Sequence, residues 1–149
     1  RVTSGELRLL FSGNIANWKE LGGPDLPVVL VVPDKESGAY QNFYQQVMKR
    51  NEIQYDYLSY KSTRVLEAVE SLPPGAVSFT SRGAQIVHPD IKVLRVDGET
   101  PGDPGYPYYQ IFYLVFKGTP KGEMKQFVDF ITSEKGKAII LERGMLPIE

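Results

Sequence analysis

The chain has 149 residues, 42% of them apolar and 23% charged, and its 17 Lys plus Arg against 18 Asp plus Glu leave a net charge of -1. That length and composition fit one globular domain with a core of useful size. The near-neutral balance excludes a general nucleic-acid binder, which advertises a basic face. The absence of cysteine excludes disulfides, thiolate chemistry and Cys-ligated zinc.

In chain order, "TSGELRLLFSG" predicts a short helix. Thr3 and Glu6 have capping-box spacing, Leu7, Leu10 and Phe11 form an apolar stripe, and Gly13 is the stop. "NIANWKELGGPDLP" is a loop or a single turn, in which Trp18 packs. Val28 to Val32 is apolar throughout and reads as a buried strand. Ser37 then caps a helix from about Gly38 to Lys49, with Phe43, Val47 and Tyr44 inward.

"IQYDYLSY" predicts a short strand. "STRVLEAVESLPPG" predicts a helix capped near Ser62, with Val65, Leu66 and Val69 on one face and Pro73 and Pro74 at its end. "GAVSFT" and "IKVLRV" read as two further strands, and the Pro- and Gly-rich "TPGDPGYP" as a loop or hinge. Tyr108 to Phe116 is a long strand candidate. "GEMKQFVDFI" is a helix with Met124, Phe127, Val128 and Ile131 on one face. Ser133 caps a last helix that Gly144 ends. Strands alternating with helices imply an α/β fold, with a largely parallel or mixed sheet covered by helices on both faces. Ligands in such folds gather at the carboxyl ends of strands.

The longest apolar runs, "VVLVV" and "IFYLVF", are too short to span a bilayer. The chain opens on Arg1, as a mature product, an excised domain or a shortened chain does. With one histidine, no cysteine, no metal-spaced ligands and no phosphate-binding P-loop, the usual nucleophile and metal constellations are absent. No enzyme activity, cofactor or metal is expected.

Three ordered blocks carry a resemblance. They are "LRLLFSGNIANWKELGGPDLPVVLV", "STRVLEAVESLPPGAVSFTSRG" and "YYQIFYLVFKGTPKGEMKQFVDFITSEKGKAIILERGMLPI". Together they resemble the phosphate-type solute-binding proteins of ABC transporters over almost the whole chain. The resemblance implies a type II periplasmic-binding-protein fold, a periplasmic or extracellular location, a small anion such as phosphate as ligand, and a membrane permease or sensor as partner. It also implies that 1–149 form one binding-protein-like domain. The signature helix and loop are 1–27, the second-lobe core 28–107, and a return strand with closing helices 108–149. The family's opening lobe, about a domain in size, is not matched.

The ligand corner follows Val32. A helix N-terminus offers free amides and the positive end of the helix dipole. Gly38, Ala39 and Tyr40 can supply such amides and Ser37 a hydroxyl. The family pattern Arg-x-x-x-Ser-Gly-Thr is altered here: Pro33 stands at the arginine position and Ala39 at the threonine position. Asp34 and Glu36 add repelling charge. Lys35 supplies a point charge, and Arg82, after the "GAVSFT" strand, is the candidate replacement for the missing arginine. Against this stands the plain reading that Ser37 caps a helix, that Arg82 and His88 are solvated loop residues, and that the nine tyrosines are half-buried strand residues. The functional expectations are therefore an extracytoplasmic anion-binding module or, alternatively, a sensory or interaction domain that kept the scaffold without the ligand. A half-clamshell leaves its cleft face uncovered, which implies a covering partner, either a second copy or another chain.

Overall fold

The computed structural model describes residues 1–53, 56–81 and 90–147. Within them the chain forms two compact units. Of the described residues, the first holds those up to Ser81 and 90–109, and the second those from Gln110 onward.

The first unit is built on a three-stranded sheet of order β2-β1-β3, parallel throughout, with β1 at Val29–Pro33, β2 at Tyr57–Tyr60 and β3 at Ala76–Val77. The central strand is buried along Leu30 to Pro33. Its side chains alternate between two layers. Leu30 and Val32 join a core with Leu7, Leu10 and Phe11 of α1 (Ser4–Phe11) and with Tyr40 and Phe43 of α2 (Gly38–Gln46). Val31 faces the other way, against Val65 and Ala68 of α3 (Val65–Ser71). Helices thus cover both faces of the sheet, as a parallel sheet requires.

The helix starts follow the sequence closely. Thr3 and Glu6 form a reciprocal capping box on α1. Asn17 and Glu20 form a second one on the single 3-10 turn Trp18–Leu21. Ser37 caps α2. The core beneath is aromatic: Phe43 and Phe79 stack at 3.7 Å, and Phe11 meets Phe43 edge-on at 4.7 Å. Trp18 donates its indole N–H to the Gly75 carbonyl at 2.9 Å, which joins the signature loop to the start of β3.

Four expectations are corrected. α2 stops at Gln46 rather than Lys49, because Lys49 and Arg50 take left-handed backbone angles of φ 53° and 67°. The segment after Ser62 begins as a 3-10 turn, Ser62–Arg64, with no side-chain cap of its own. "IKVLRV" makes only isolated bridges at Val96, to Val2 and to Glu99, since Asp97 turns the chain at φ 52°. Tyr108 to Phe116 forms no strand; it meets no ladder partner among the described residues.

The second unit contains α4 (Gly122–Thr132) and α5 (Glu134–Glu142), which pack on each other. Ser133 accepts from the Gly136 amide and so caps α5, as expected. A Cβ at buried Gly136 would fall on the carbonyl oxygens of Phe130 and Ile131, so only glycine permits this tight corner. The apolar stripe of α4 is present, yet no residue of α4 is buried, and Met124 and Phe127 stand exposed.

Two outcomes are expected from this packing. Gly75 sits at φ 110° with the Pro27 carbonyl where a Cβ would go. Gly75→Ala should therefore cost at least about 2 kcal/mol in urea denaturation, from backbone strain plus the collision. Asp97 accepts hydrogen bonds from the Ser4 hydroxyl and the Ser4 amide, which hold its carboxyl below the usual carboxylate range. A lowered native pKa gives stability that is present above the unfolded value and lost as pH falls through the native one. Asp97→Asn should lower stability at neutral pH towards its value in acid, and so flatten the acid side of the profile; asparagine also tolerates the left-handed angle.

Candidate anion-binding site

The site builds outward from the carboxyl end of β1. Asp34 extends the ladder by one bond, donating its amide to the Tyr60 carbonyl at 2.8 Å. Its own carbonyl accepts from the Ser37 amide at 3.0 Å and from the Ser37 hydroxyl at 2.7 Å. The same hydroxyl oxygen accepts from the Tyr40 amide at 3.2 Å. Ser37 thereby fixes the turn and caps the helix at once.

This accounting leaves the amides of Gly38 and Ala39 without a partner among the described residues. Gly38 is exposed and Ala39 half-buried. Two free N–H groups at a helix start, with the dipole behind them, form a seat for negative charge. The Tyr40 amide, expected as a third donor, is already spent on the cap.

The flanking carboxylates act differently from one another. Asp34 Oδ2 accepts from the Ser62 amide at 3.2 Å, so it caps the 3-10 turn that opens into α3 and does not occupy the seat. This role was not legible in the sequence, because 28 residues separate the pair. Glu36 is exposed beside the seat.

Lys35 is exposed and lies 3.5 Å from Glu52. Its ammonium is favoured chiefly by nearby Tyr40 and next by Glu52, both of which raise its pKa. An exposed pair of that kind is weak and screened, so Lys35 remains able to turn to a ligand. The Lys35 carbonyl accepts from the Gln41 side chain at 2.7 Å, which steadies the turn. Tyr40 is buried, and burial raises its hydroxyl pKa.

Five of the six expected residues, Lys35, Ser37, Gly38, Ala39 and Tyr40, therefore lie in one turn at a strand-to-helix junction. Arg82 and His88 fall outside the described residues. Pro33, at the family's arginine position, is fully buried in the core. A cavity of about 250 Å³ lies elsewhere, lined by Arg8, Leu9, Ser12, Met48, Asn51 and Glu52. No group of acidic residues and histidine among the described residues is placed to hold a metal ion.

A parallel sheet clad by helices on both faces, with two amides at the carboxyl end of its central strand unpartnered among the described residues, defines an α/β domain of the binding-protein type. The chain belongs to the PBP superfamily domain family, whose model matches residues 1–135. It is 27% identical over 99% of its length to the phosphate-binding protein PstS of Bacillus subtilis, of which it covers 50%. Against the PstS of Borreliella burgdorferi it is 26% identical over 99% of its length and covers 58% of that protein. Its fold superposes at a TM-score of 0.75 on a phosphate ABC transporter substrate-binding protein from Clostridium perfringens solved with bound phosphate. That match is 24% identical and covers 99% of this chain and 63% of the other. The chain thus spans about half the length of the curated relatives it matches.

Removing either hydrogen-bonding side chain of the turn should loosen it. Ser37→Ala is expected to cost about 1 kcal/mol, the usual worth of an N-cap. Asp34→Ala should cost about as much through the start of α3, and hydrogen exchange should then rise at Ser62 to Val65 while the amides of α1 stay protected.

Proposed function

We propose that the chain is the anion-gripping part of an extracytoplasmic solute receptor. It holds a small oxyanion such as phosphate on the Gly38 and Ala39 amides and presents it to a membrane permease or sensor. The observation that carries this reading is the pair of unpartnered amides at the end of the central strand, in a chain whose relatives are phosphate-binding proteins. The Ser37 cap holds the two donors in place, so binding does not have to order them first. Lys35 adds a mobile positive charge.

The grip is modest. No arginine fork reaches the seat among the described residues, and Glu36 opposes a dianion. Affinity should therefore fall with rising salt and rise on Glu36→Gln. The reading assigns no catalysis: it asks the site only for donors and charge. No helix among the described residues is long and apolar enough to cross a membrane.

A second reading, a sensory or interaction domain without ligand, is favoured by the two carboxylates Asp34 and Glu36 that flank the seat.

Gly38→Pro separates the two. Gly38 is the first helical residue, where proline is well tolerated and removes one free N–H. Ser37, at φ -71° and ψ 146°, already has the backbone that a following proline demands. Calorimetry should show saturable phosphate binding by the parent. It should weaken by about tenfold or more in Gly38→Pro, as expected for losing a charge-assisted hydrogen bond, while the unliganded melting temperature holds. Equal binding by the two proteins would remove the seat from α2. The absence of heat or thermal shift with phosphate, sulfate or small organic acids would favour the ligand-free reading.

A further inference from the structure

The first unit has a second concavity, and no residue of the anion seat lines it. It is the cavity of about 250 Å³ between α1 and the chain that leaves α2. The way α2 ends shapes it. The Met48 amide reaches back to the Phe43 carbonyl at 3.0 Å and the Arg50 amide to the Tyr44 carbonyl at 2.9 Å, while Lys49 and Arg50 both take left-handed angles. Two successive non-glycine residues in that region are uncommon, and strain of this kind gathers at ligand-holding turns. The turn brings Met48, Asn51 and Glu52 beside Arg8, Leu9 and Ser12.

The polar groups of the cavity divide into open donors and open acceptors. Arg8 is half-buried, and its guanidinium makes one long hydrogen bond, 3.5 Å to the Val47 carbonyl, and no ion pair among the described residues. Its other N–H groups are left to be satisfied. Asp97 feels the Arg8 charge, but its carboxylate is taken up by Ser4. The Asn51 side-chain N–H group donates to the Met48 carbonyl at 2.9 Å, which fixes the side chain and leaves Oδ1 to accept. Glu52 is exposed, and its pair with Lys35 at 3.5 Å is weak and screened. Ser12 is already spent, donating to the Leu9 carbonyl and accepting from Asn14. The apolar surface comes from Met48, which is fully buried, and Leu9, which is exposed.

We propose that this cavity binds a free α-amino acid with an aliphatic side chain: its carboxylate on Arg8, its ammonium on Asn51 Oδ1 and Glu52, and its side chain on Met48 and Leu9. A zwitterion answers both charges at once. A simple anion would complete Arg8 but meet Glu52 as a like charge, and a simple amine would do the reverse. A peptide carries its ammonium and carboxylate on different residues and so fits only half of the set. The volume lies below the range of about 300 to 1,000 Å³ usual for drug-sized ligands, which favours a small solute. The proposal is independent of the oxyanion reading, which rests on the Gly38 and Ala39 amides.

The test follows the backbone amides of the 149-residue protein by NMR during titration with L-leucine, with isocaproate, which lacks the ammonium, and with isoamylamine, which lacks the carboxylate. Leucine should shift the amides of Leu9, Met48, Asn51 and Glu52 saturably, with a Kd on the order of 1 mM. Each analogue should bind at least about tenfold more weakly, as expected for losing one charge-assisted contact. Arg8→Gln should weaken leucine and isocaproate by about tenfold and leave isoamylamine unchanged, a split that mere loosening of the cavity would not produce. Glu52→Gln, at an exposed position, should weaken leucine and isoamylamine and spare isocaproate. Four results would overturn the proposal: no saturable shift with leucine at about ten times the expected Kd; equal response to all three compounds; shifts at Gly38 and Ala39 in place of the cavity; or leucine binding unchanged in both variants.

Discussion

The backbone and side chain of Asp34 tie together four elements, and the arrangement at the carboxyl end of the sheet depends on that junction. Its amide closes the last rung between β1 and β2. Its carbonyl takes both the amide and the hydroxyl of Ser37, which sets the direction in which α2 leaves the sheet. Its carboxylate receives the Ser62 amide and so sets where the chain turns into α3. The two helices lie on opposite faces of β1. One residue at the strand exit thus fixes the start of a helix on each face. Burial of Leu30, Val31 and Val32 holds the strand beneath it, at roughly 1.5 to 3 kcal/mol for each fully buried side chain of this kind.

The same junction explains why the Gly38 and Ala39 amides stay open beside acidic residues. A free carboxylate next to open helix amides would fill them itself, since anions favour a helix N-terminus. Asp34 is prevented from doing so because its carboxylate is committed to Ser62, and the hydroxyl that reaches the α2 amides, from Ser37, takes only that of Tyr40. One carboxylate oxygen is therefore engaged at the turn into α3, and the Gly38 and Ala39 amides are left without a partner among the described residues. Glu36 remains the opposing charge, and it is exposed to solvent, where screening blunts repulsion.

What could be read from the sequence was local. Capping boxes span three residues, and the Thr3–Glu6 box and the Ser37 and Ser133 caps appear where the residue types put them. The central strand was legible because an unbroken apolar run must be buried on both faces. Strands at "IKVLRV" and Tyr108 to Phe116 were not legible as outcomes, because a strand exists only where another chain segment meets its edge. Val96 finds Val2 for a single bridge and then Asp97 turns away; Ile111 to Val115 finds nothing among the described residues. Composition reports the propensity of such a segment and is silent about its partner. The Asp34–Ser62 bond was hidden for the same reason, since no local pattern links residues 28 apart.

The contrast between the two units follows from where each draws its hydrogen bonds and cover. The first unit satisfies its central strand internally, with a neighbour on each edge and a helix layer on each face. The second has the parts of a similar layer: an apolar run of strand length and two helices joined at a corner so tight that Gly136 is the one residue it admits. It lacks the edges. Helix formation is satisfied within the segment, so α4 and α5 form even though no residue of α4 is buried. Strand formation cannot be satisfied within the segment, so the run from Gln110 to Phe116 has the composition of a strand and no ladder among the described residues. The difference between helix and strand hydrogen bonding is thus enough to explain which parts of the second unit take regular form on their own.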